Sequence, residues 1–195
     1  EISLDSVDLS TDFLGKRLKW PILIAGMTGG YKDAAPINWA LAEIAERRNL
    51  TLMFDAAHAF GCSHRGKMIG AFGLAEVLSF HATKFFNSFE GGAIVTNNDD
   101  LAAKVRLMQN FGFQGYDNVV YIGTNGKMTE VCAAMGLTNL ECVNDFLAKN
   151  KHNYQAYRRG LAGLPGVKLI KYDNRERCNY QYVVVEFDEQ KTGIS

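Results

Sequence analysis

The chain has 195 residues, enough for one large domain or two small ones, and its 47% hydrophobic and 22% charged residues are typical of a globular protein. This composition excludes an intrinsically disordered chain. Because 21 basic residues balance 21 acidic ones, no overall charge attracts nucleic acid or an anionic membrane, and we expect small molecules or proteins as partners.

The N-terminus and the cysteines favour a cytosolic protein. No apolar run approaches the roughly 20 residues that span a bilayer, and the first residues lack the basic and apolar regions of a signal peptide. The cysteines have neither CxxC spacing nor a dense pattern, which favours free thiols over disulfides or a metal site. They are Cys62, Cys132, Cys142 and Cys178.

The first predicted unit is a strand, a glycine loop and a helix. Residues 22–25 (ILIA) form a near-continuous apolar run, typical of a buried strand in a parallel sheet. The run ends at a loop with three glycines, residues 26–30 (GMTGG). Asp33 is a candidate N-cap for a helix over about residues 37–45, where apolar residues recur every three or four positions.

Three short apolar strands follow, and polar residues stand where two of them end. Residues 52–54 end at Asp55, and residues 75–80 end at the segment 81–84 (HATK). The third predicted strand covers residues 93–96. Because open α/β sheets bind ligands at the C-terminal ends of their strands, these polar residues are candidates for a functional site.

The rest of the chain alternates between helix and strand signals. A helix is predicted over residues 101–108, and a long helical region over about 128–161. We expect the latter to bend or break at Gly136, because glycine within a helix costs about 1 kcal/mol relative to alanine. Strands are predicted over residues 167–170 and 180–187.

Four residues near the strand ends form a set that suits a carbonyl cofactor: Asp55, His58, Ser79 and Lys84. A lysine amine can form a Schiff base, a carboxylate can keep a pyridine nitrogen protonated, and a hydroxyl can bind phosphate. Each residue also has a structural explanation, as a turn former, a half-buried histidine or a solvated lysine. The spacing alone leaves both alternatives open.

Three motifs in order resemble the pyridoxal-phosphate (PLP)-dependent sugar aminotransferases of the DegT/DnrJ/EryC1/StrS family. They are residues 54–61 (FDAAHAFG), 79–84 (SFHATK) and 123–130 (GTNGKMTE). The resemblance covers about residues 49–195, roughly three quarters of the chain. It implies an α/β fold, with part of the large domain of a fold type I aminotransferase over 49–145 and the start of a small α+β domain over 146–195.

The resemblance also implies a role for each site residue. Lys84 forms the Schiff base and shuttles a proton, Asp55 pairs with the pyridine nitrogen, and His58 lies against the cofactor ring. Ser79 binds the cofactor phosphate, and Asn125 reaches the phosphate of the partner subunit in a homodimer. The implied reaction transfers an amino group from an amino-acid donor to a nucleotide-linked keto sugar, such as dTDP-4-keto-6-deoxyglucose.

Residues 1–48 resemble a different family, the FMN-dependent type 2 isopentenyl-diphosphate isomerases. The matching segments are residues 7–16 (VDLSTDFLGK), 21–24 (PILI) and 26–30 (GMTGG). The resemblance implies a β–α unit from the start of a (β/α)8 barrel, with the glycine loop against a flavin. We therefore hypothesise a chimera joined within residues 41–50, although the same unit is also common in ordinary α/β proteins.

Three functions stay open at this point: a sugar aminotransferase, an FMN-dependent isomerase-like fragment, and a non-catalytic α/β module. A flavin spectrum would favour the second, and a Lys84-dependent PLP absorption band would favour the first. The N-terminal phosphate loop of the aminotransferase family and the end of its small domain are not among these residues. We therefore expect half of the pocket wall to be missing and activity of the isolated chain to be impaired.

Overall fold

The computed structural model describes residues 7–13, 16–19 and 34–193, and the chain separates into two compact units, Glu1–Glu43 and Ile44–Ser195. In the first unit, β1 (Thr11–Phe13) and β2 (Lys16–Leu18) form an antiparallel pair. Helix α1 (Ala34–Arg47) confirms the helix predicted over 37–45. The predicted strand 22–25, the loop 26–30 and Asp33 lie outside the described residues, so the barrel-like unit is not shown.

The centre of the second unit is a three-stranded sheet. Its order is β3 (Met53–Asp55), β6 (Ala75–Ser79) and β7 (Gly92–Val95), which confirms the three predicted strands. Strands β3 and β6 are parallel, while β7 runs antiparallel to β6. The C-terminal ends of β3 and β6 therefore meet at one edge of the sheet, and that edge carries two of the predicted site residues.

Two short hairpins and a helix lie between and after these strands in the chain. Strands β4 (Ser63–His64) and β5 (Lys67–Met68) form one antiparallel pair, and β8 (Phe113–Gln114) and β9 (Asn118–Val119) form another. Helix α2 (Asp99–Met108) confirms the helix predicted over 101–108. It begins after Asn98, whose side chain accepts a hydrogen bond from the Leu101 amide at 2.7 Å, as an N-cap residue does.

The long helical region is two helices, α3 (Glu130–Glu141) and α4 (Val143–Gly160), and the predicted break at Gly136 is wrong. The helices separate at Cys142, which has non-helical dihedral angles of φ −100° and ψ 3°. Gly136 continues α3 and lies close to the buried Ser88, because a Cβ atom added to Gly136 would be 3.4 Å from the Ser88 Cβ. The glycine therefore allows close packing rather than ending the helix.

The C-terminal strands are shorter than the alternation predicted. Strand β10 (Val167–Leu169) confirms the strand over 167–170 and pairs antiparallel with β11 (Val185–Phe187), which α5 (Glu189–Thr192) follows. Residues 180–184 lie outside β11, so the first part of the strand predicted over 180–187 is wrong. The Tyr172 hydroxyl accepts a hydrogen bond from the Tyr182 amide at 3.3 Å and donates one to the Tyr182 carbonyl at 2.8 Å. These backbone groups are therefore not free to pair with a neighbouring strand, as they would in a longer β11.

Buried residues are few among those described, and four of them are polar: Glu76, Ser88, Asn139 and Asn179. The side chains of Glu76 and Ser88 are 1% and 0% exposed. Glu76 accepts hydrogen bonds from the amides of Gly70 and Phe72, so its carboxylate stabilises the turn before β6. None of the helices in the described part of the chain combines the length and apolar character needed to cross a membrane.

Candidate active site

Two of the predicted site residues, Lys84 and His58, contact each other. The Lys84 Nζ atom is 3.4 Å from both ring nitrogens of His58, although the residues are 26 positions apart. A third side chain joins them, because the Tyr182 hydroxyl is 2.6 Å from His58 Nδ1. The structure therefore brings together an amine, an imidazole and a phenol.

Backbone hydrogen bonds fix the turn that carries Lys84. Its amide donates to the His81 carbonyl at 2.9 Å, and its own carbonyl accepts from the Asn87 side chain at 3.2 Å. Helix α3 secures the same turn, since Asn139 Nδ2 donates to the Asn87 carbonyl at 2.8 Å. Lys84 itself is half-buried. The backbone from which the Lys84 side chain extends is thus held by a turn anchored at both ends.

Aromatic packing connects the motifs that contain His58 and Lys84. Phe60 stacks on the buried Phe86 with ring centroids 4.4 Å apart, and Phe80 meets Phe86 edge to face at 5.1 Å. Asn179 Nδ2 also donates to the carbonyls of His58 and Phe60, at 2.8 and 3.1 Å. Asn179 is 4% exposed, so water has little access to these hydrogen bonds.

Asp55 and Ser79 lie on the same face of the sheet. Asp55 is opposite Val77 in the parallel pair, and Ser79 is two residues beyond Val77, so the alternation of a strand directs both to one side. Asp55 Oδ1 accepts from the Ala57 amide at 3.0 Å, and Ser79 Oγ accepts from the His81 amide at 3.4 Å. Both therefore also form the turns that their structural explanation predicts.

A groove of about 880 Å³ runs along this part of the sheet. Its lining includes Val77, Gly92 and Ile94, which the pairing of β6 with β7 puts on the same face as Ser79. Three further lining residues, Leu78, Ala93 and Thr96, lie in or just after the strands. Helix α2 and the residue after it contribute Ala102, Val105, Arg106, Met108 and Gln109. The later segment contributes Ile122, Gly123, Thr124 and Gly126. The groove therefore runs along the strand that carries Ser79, but neither Ser79 nor Asp55 is among its lining residues.

Asn125 is separate from the contact between Lys84 and His58. Its backbone forms an isolated bridge with Asn110, and its neighbours Thr124 and Gly126 line the groove. Lys127, two residues later, donates to Asn110 Oδ1 at 3.0 Å. The structure thus puts Asn125 in a segment that borders the groove.

A carboxylate on the C-terminal segment secures the hairpin that follows the His58 motif. Glu176 accepts from the Ser63 hydroxyl at 2.6 Å and from the amides of Arg65 and Gly66. The hydrogen bond from Ser63 is the main cause that lowers the pKa of Glu176, and the two amides lower it further. Nearby, burial raises the pKa of the Cys62 thiol, which opposes formation of a reactive thiolate.

Sequence patterns did not indicate Tyr182 or Asn179 as site residues. Residues 180–187 match a simple strand alternation, and no local motif marks a contact with residues more than 100 positions earlier. The aromatic and amide side chains of residues 179–182 (NYQY) are the only signal, and tyrosines are common in ordinary strands.

Comparison with known proteins assigns the chain to a family. The model of the DegT/DnrJ/EryC1/StrS aminotransferase family matches residues 22–194. The chain belongs to this family. The match begins at residue 22 and so includes part of the segment that we compared with the isomerases. The comparisons give the isomerase resemblance and the chimera no support.

Individual relatives agree with this assignment. The chain is 40% identical over 151 residues to dTDP-4-amino-4,6-dideoxy-D-glucose transaminase of Shigella dysenteriae, an alignment that covers 76% of this chain and 41% of the relative. The crystal structure of DesI in the presence of its TDP-sugar product matches with 50% identity and a TM-score of 0.73, over 79% of this chain and 39% of DesI. DesV of S. venezuelae, in complex with a ketimine intermediate, matches with 31% identity and a TM-score of 0.69, over 77% and 41% of the two chains.

These matches also confirm the fold class. The structural neighbours are sugar aminotransferases of fold type I, a mixed α/β fold. The chain spans about two fifths of the length of the relatives it matches.

Proposed function

We propose that this chain is part of a PLP-dependent aminotransferase that transfers an amino group from an amino acid to a nucleotide-linked keto sugar. The contact between Lys84 and His58 carries the proposal, because it joins an amine and an imidazole from two family motifs. The compound that gives the Shigella transaminase its name and the TDP-sugar product present with DesI support a nucleotide sugar, such as dTDP-4-keto-6-deoxyglucose, as substrate.

The described residues fit the chemical groups of PLP. The cofactor has a pyridine nitrogen, an aldehyde and a phosphate, which suit a carboxylate, an amine and a hydroxyl respectively. Asp55 and Ser79 supply the first and last of these on one face of the sheet, and Lys84 supplies the amine. When bound, PLP supplies an electron sink for negative charge at the substrate carbon.

Lys84 has two tasks in this proposal. Its Nζ atom would hold the cofactor through the aldehyde carbon, whose oxygen leaves as water, and once free it would move a proton at the substrate carbon. Only the unprotonated amine is a nucleophile, and the imidazole of His58 lies 3.4 Å from this amine. The anchored turn at residues 81–88 restrains the backbone of Lys84, which reduces the conformational entropy that the reaction must lose.

Asn125 and the domain boundaries extend the proposal to the assembly. We propose that Asn125 reaches the cofactor phosphate of a partner subunit, so that a homodimer completes each site. Its segment borders the groove on the same face of the sheet as Ser79, which supports a role near the phosphate. Residues 49–145 are then part of the large domain, and residues 146–195 begin the small domain.

The test is covalent capture of PLP by one lysine. Purified protein is incubated with PLP, its absorption spectrum is recorded, and borohydride reduction followed by peptide mapping locates the modified residue. We expect an absorption band that Lys84→Ala removes and Lys149→Ala retains, because Lys149 is an exposed residue of α4. A band that survives Lys84→Ala, or no band in the wild type, would contradict the proposal.

The alternative with FMN at residues 26–30 has no support from the comparisons, and that loop lies outside the described residues. It predicts a flavin spectrum after incubation with FMN and no band that depends on Lys84. The same purified protein therefore distinguishes the two cofactors.

A further inference from the structure

The hydroxyl of Tyr182 makes the shortest hydrogen bond to His58 that the structure describes. The Tyr182 Oη atom is 2.6 Å from His58 Nδ1, and the two rings are tilted by 54° with centroids 5.2 Å apart. The same imidazole contacts Lys84 Nζ. Tyr182 therefore contacts the imidazole of the pair that carries the proposed function.

A hydrogen bond at one ring nitrogen of a histidine affects the whole ring. It limits rotation about the bond that carries the imidazole, and it favours one of the two neutral tautomers. If Tyr182 donates to Nδ1, the proton of the neutral ring is on Nε2. If Tyr182 accepts from Nδ1, that nitrogen carries the proton and Nε2 does not. The tautomer of the imidazole that contacts Lys84 thus depends on a residue 124 positions away.

Tyr182 is itself secured by a second tyrosine. The Tyr172 hydroxyl bonds both the amide and the carbonyl of Tyr182, and Tyr172 packs against Tyr154 and Tyr180 with centroids 5.1 and 4.8 Å away. Burial raises the pKa of Tyr172, which keeps its hydroxyl protonated and able to donate. The backbone of Tyr182 is therefore fixed even though its side chain is 46% exposed.

We propose that Tyr182 is a positioning residue that fixes the ring orientation and tautomer of His58. Its importance for the reaction rests on the function proposed above, but its effect on His58 does not require cofactor. Tyr172 supports Tyr182 from the other side through its backbone. The C-terminal segment thereby controls a histidine of the first family motif.

The direct test observes His58 in the cofactor-free protein. Histidine is labelled with nitrogen-15, and long-range proton–nitrogen spectra report the tautomer of each of the four imidazoles, with His58→Gln assigning the signals of residue 58. We expect Tyr182→Phe to move both nitrogen signals of His58 towards those of a mixture of tautomers, and to leave the other histidines unchanged. Unchanged His58 signals would overturn the proposal.

Two further variants separate the hydroxyl contact from a general loss of structure. Tyr180→Phe removes a hydroxyl from the same segment, and it should leave the His58 signals as in the wild type. Tyr172→Phe removes the support of the Tyr182 backbone, and it should shift the His58 signals in the same direction by a smaller amount. Equal effects of Tyr180→Phe and Tyr182→Phe would assign the change to disturbed packing and reject a specific role of Tyr182.

A second measurement connects the contact to the proposed function. If His58 positions Lys84, Tyr182→Phe should weaken PLP retention by up to about tenfold, the effect of one lost hydrogen bond. Changed His58 signals with wild-type PLP retention and absorption would reject the link to the cofactor site. If the wild-type chain binds no PLP, the proposed function fails, and the spectra without cofactor still decide the role of Tyr182.

Discussion

The Nδ2 atom of Asn179 lies 2.8 Å from the carbonyl oxygen of His58, a residue 121 positions earlier in the chain. The same amide nitrogen is 3.1 Å from the Phe60 carbonyl, and Asn179 Oδ1 accepts from the Gln181 amide at 3.1 Å. One buried side chain thus connects the first site motif to the C-terminal segment that carries Tyr182.

Replacing Asn179 should therefore reduce stability. Asn179→Ala leaves two carbonyls and one amide without their partner in a buried position, and we expect it to lower the free energy of unfolding by about 2 to 4 kcal/mol. Urea denaturation measures the change. The exposed Asn174→Ala is the matched control and should stay within about 0.5 kcal/mol of the wild type. A similar small effect of Asn179→Ala would contradict this role.

The hydrogen bonds of Glu176 predict that the free energy of unfolding depends on pH in the acidic range. The pKa of Glu176 is lower in the folded chain than the ordinary value of about 4.3. Its stabilising contribution is therefore complete above that pH and is lost as the pH falls through the folded pKa. In urea denaturation, Glu176→Gln should be less stable than the wild type at pH 7, and the difference should narrow below about pH 4. A difference that stays constant with pH would contradict this explanation.

The position of Gly136 predicts opposite results for two substitutions. An added Cβ would be 3.4 Å from the Ser88 Cβ, at the limit of an ordinary contact, so Gly136→Ala should be tolerated and gain helix propensity. Gly136→Val adds two further methyl groups near the buried Ser88, and should destabilise the chain by about 1 to 3 kcal/mol. Thermal unfolding of both variants measures the effect. Equal stability of the two would show that α3 does not pack closely there.

Asn125 tests the proposed homodimer. If Asn125 binds the phosphate in the partner's site, Asn125→Ala should weaken PLP binding in dimers and have no effect in monomers. Sedimentation establishes the oligomeric state at each concentration, and PLP titration at the same concentrations gives the affinity. If monomers bind PLP as tightly as dimers, both in the wild type and in Asn125→Ala, the role of Asn125 is refuted.

Much of the local structure was predictable. Apolar runs gave β3, β6 and β7, and the helical periodicity gave α1 and α2, because these elements depend on neighbours a few positions away. The motifs around Asp55, His58, Ser79 and Lys84 identified the family without structural information. The domain boundaries and the roles of Asp55, His58, Ser79, Lys84 and Asn125 stay predictions.

Two errors have the same physical origin. Gly136 suggested a break from its low helix propensity, but α3 continues through it and packs beside the buried Ser88. The alternation over 180–187 predicted one strand, but the Tyr172 hydroxyl takes the backbone groups of Tyr182. In both places a contact distant in sequence outweighed the local preference.

The sequence by itself determined which side chains are available for chemistry: an amine at Lys84, an imidazole at His58, and a carboxylate and a hydroxyl at two strand ends. Only the tertiary structure decided that Lys84 contacts His58, that Tyr182 engages the same ring, and that Asn179 ties the two segments together. Periodicity and capping describe interactions within a few residues, whereas these contacts join segments 26 to 124 positions apart, where the packing of the whole unit selects the partners.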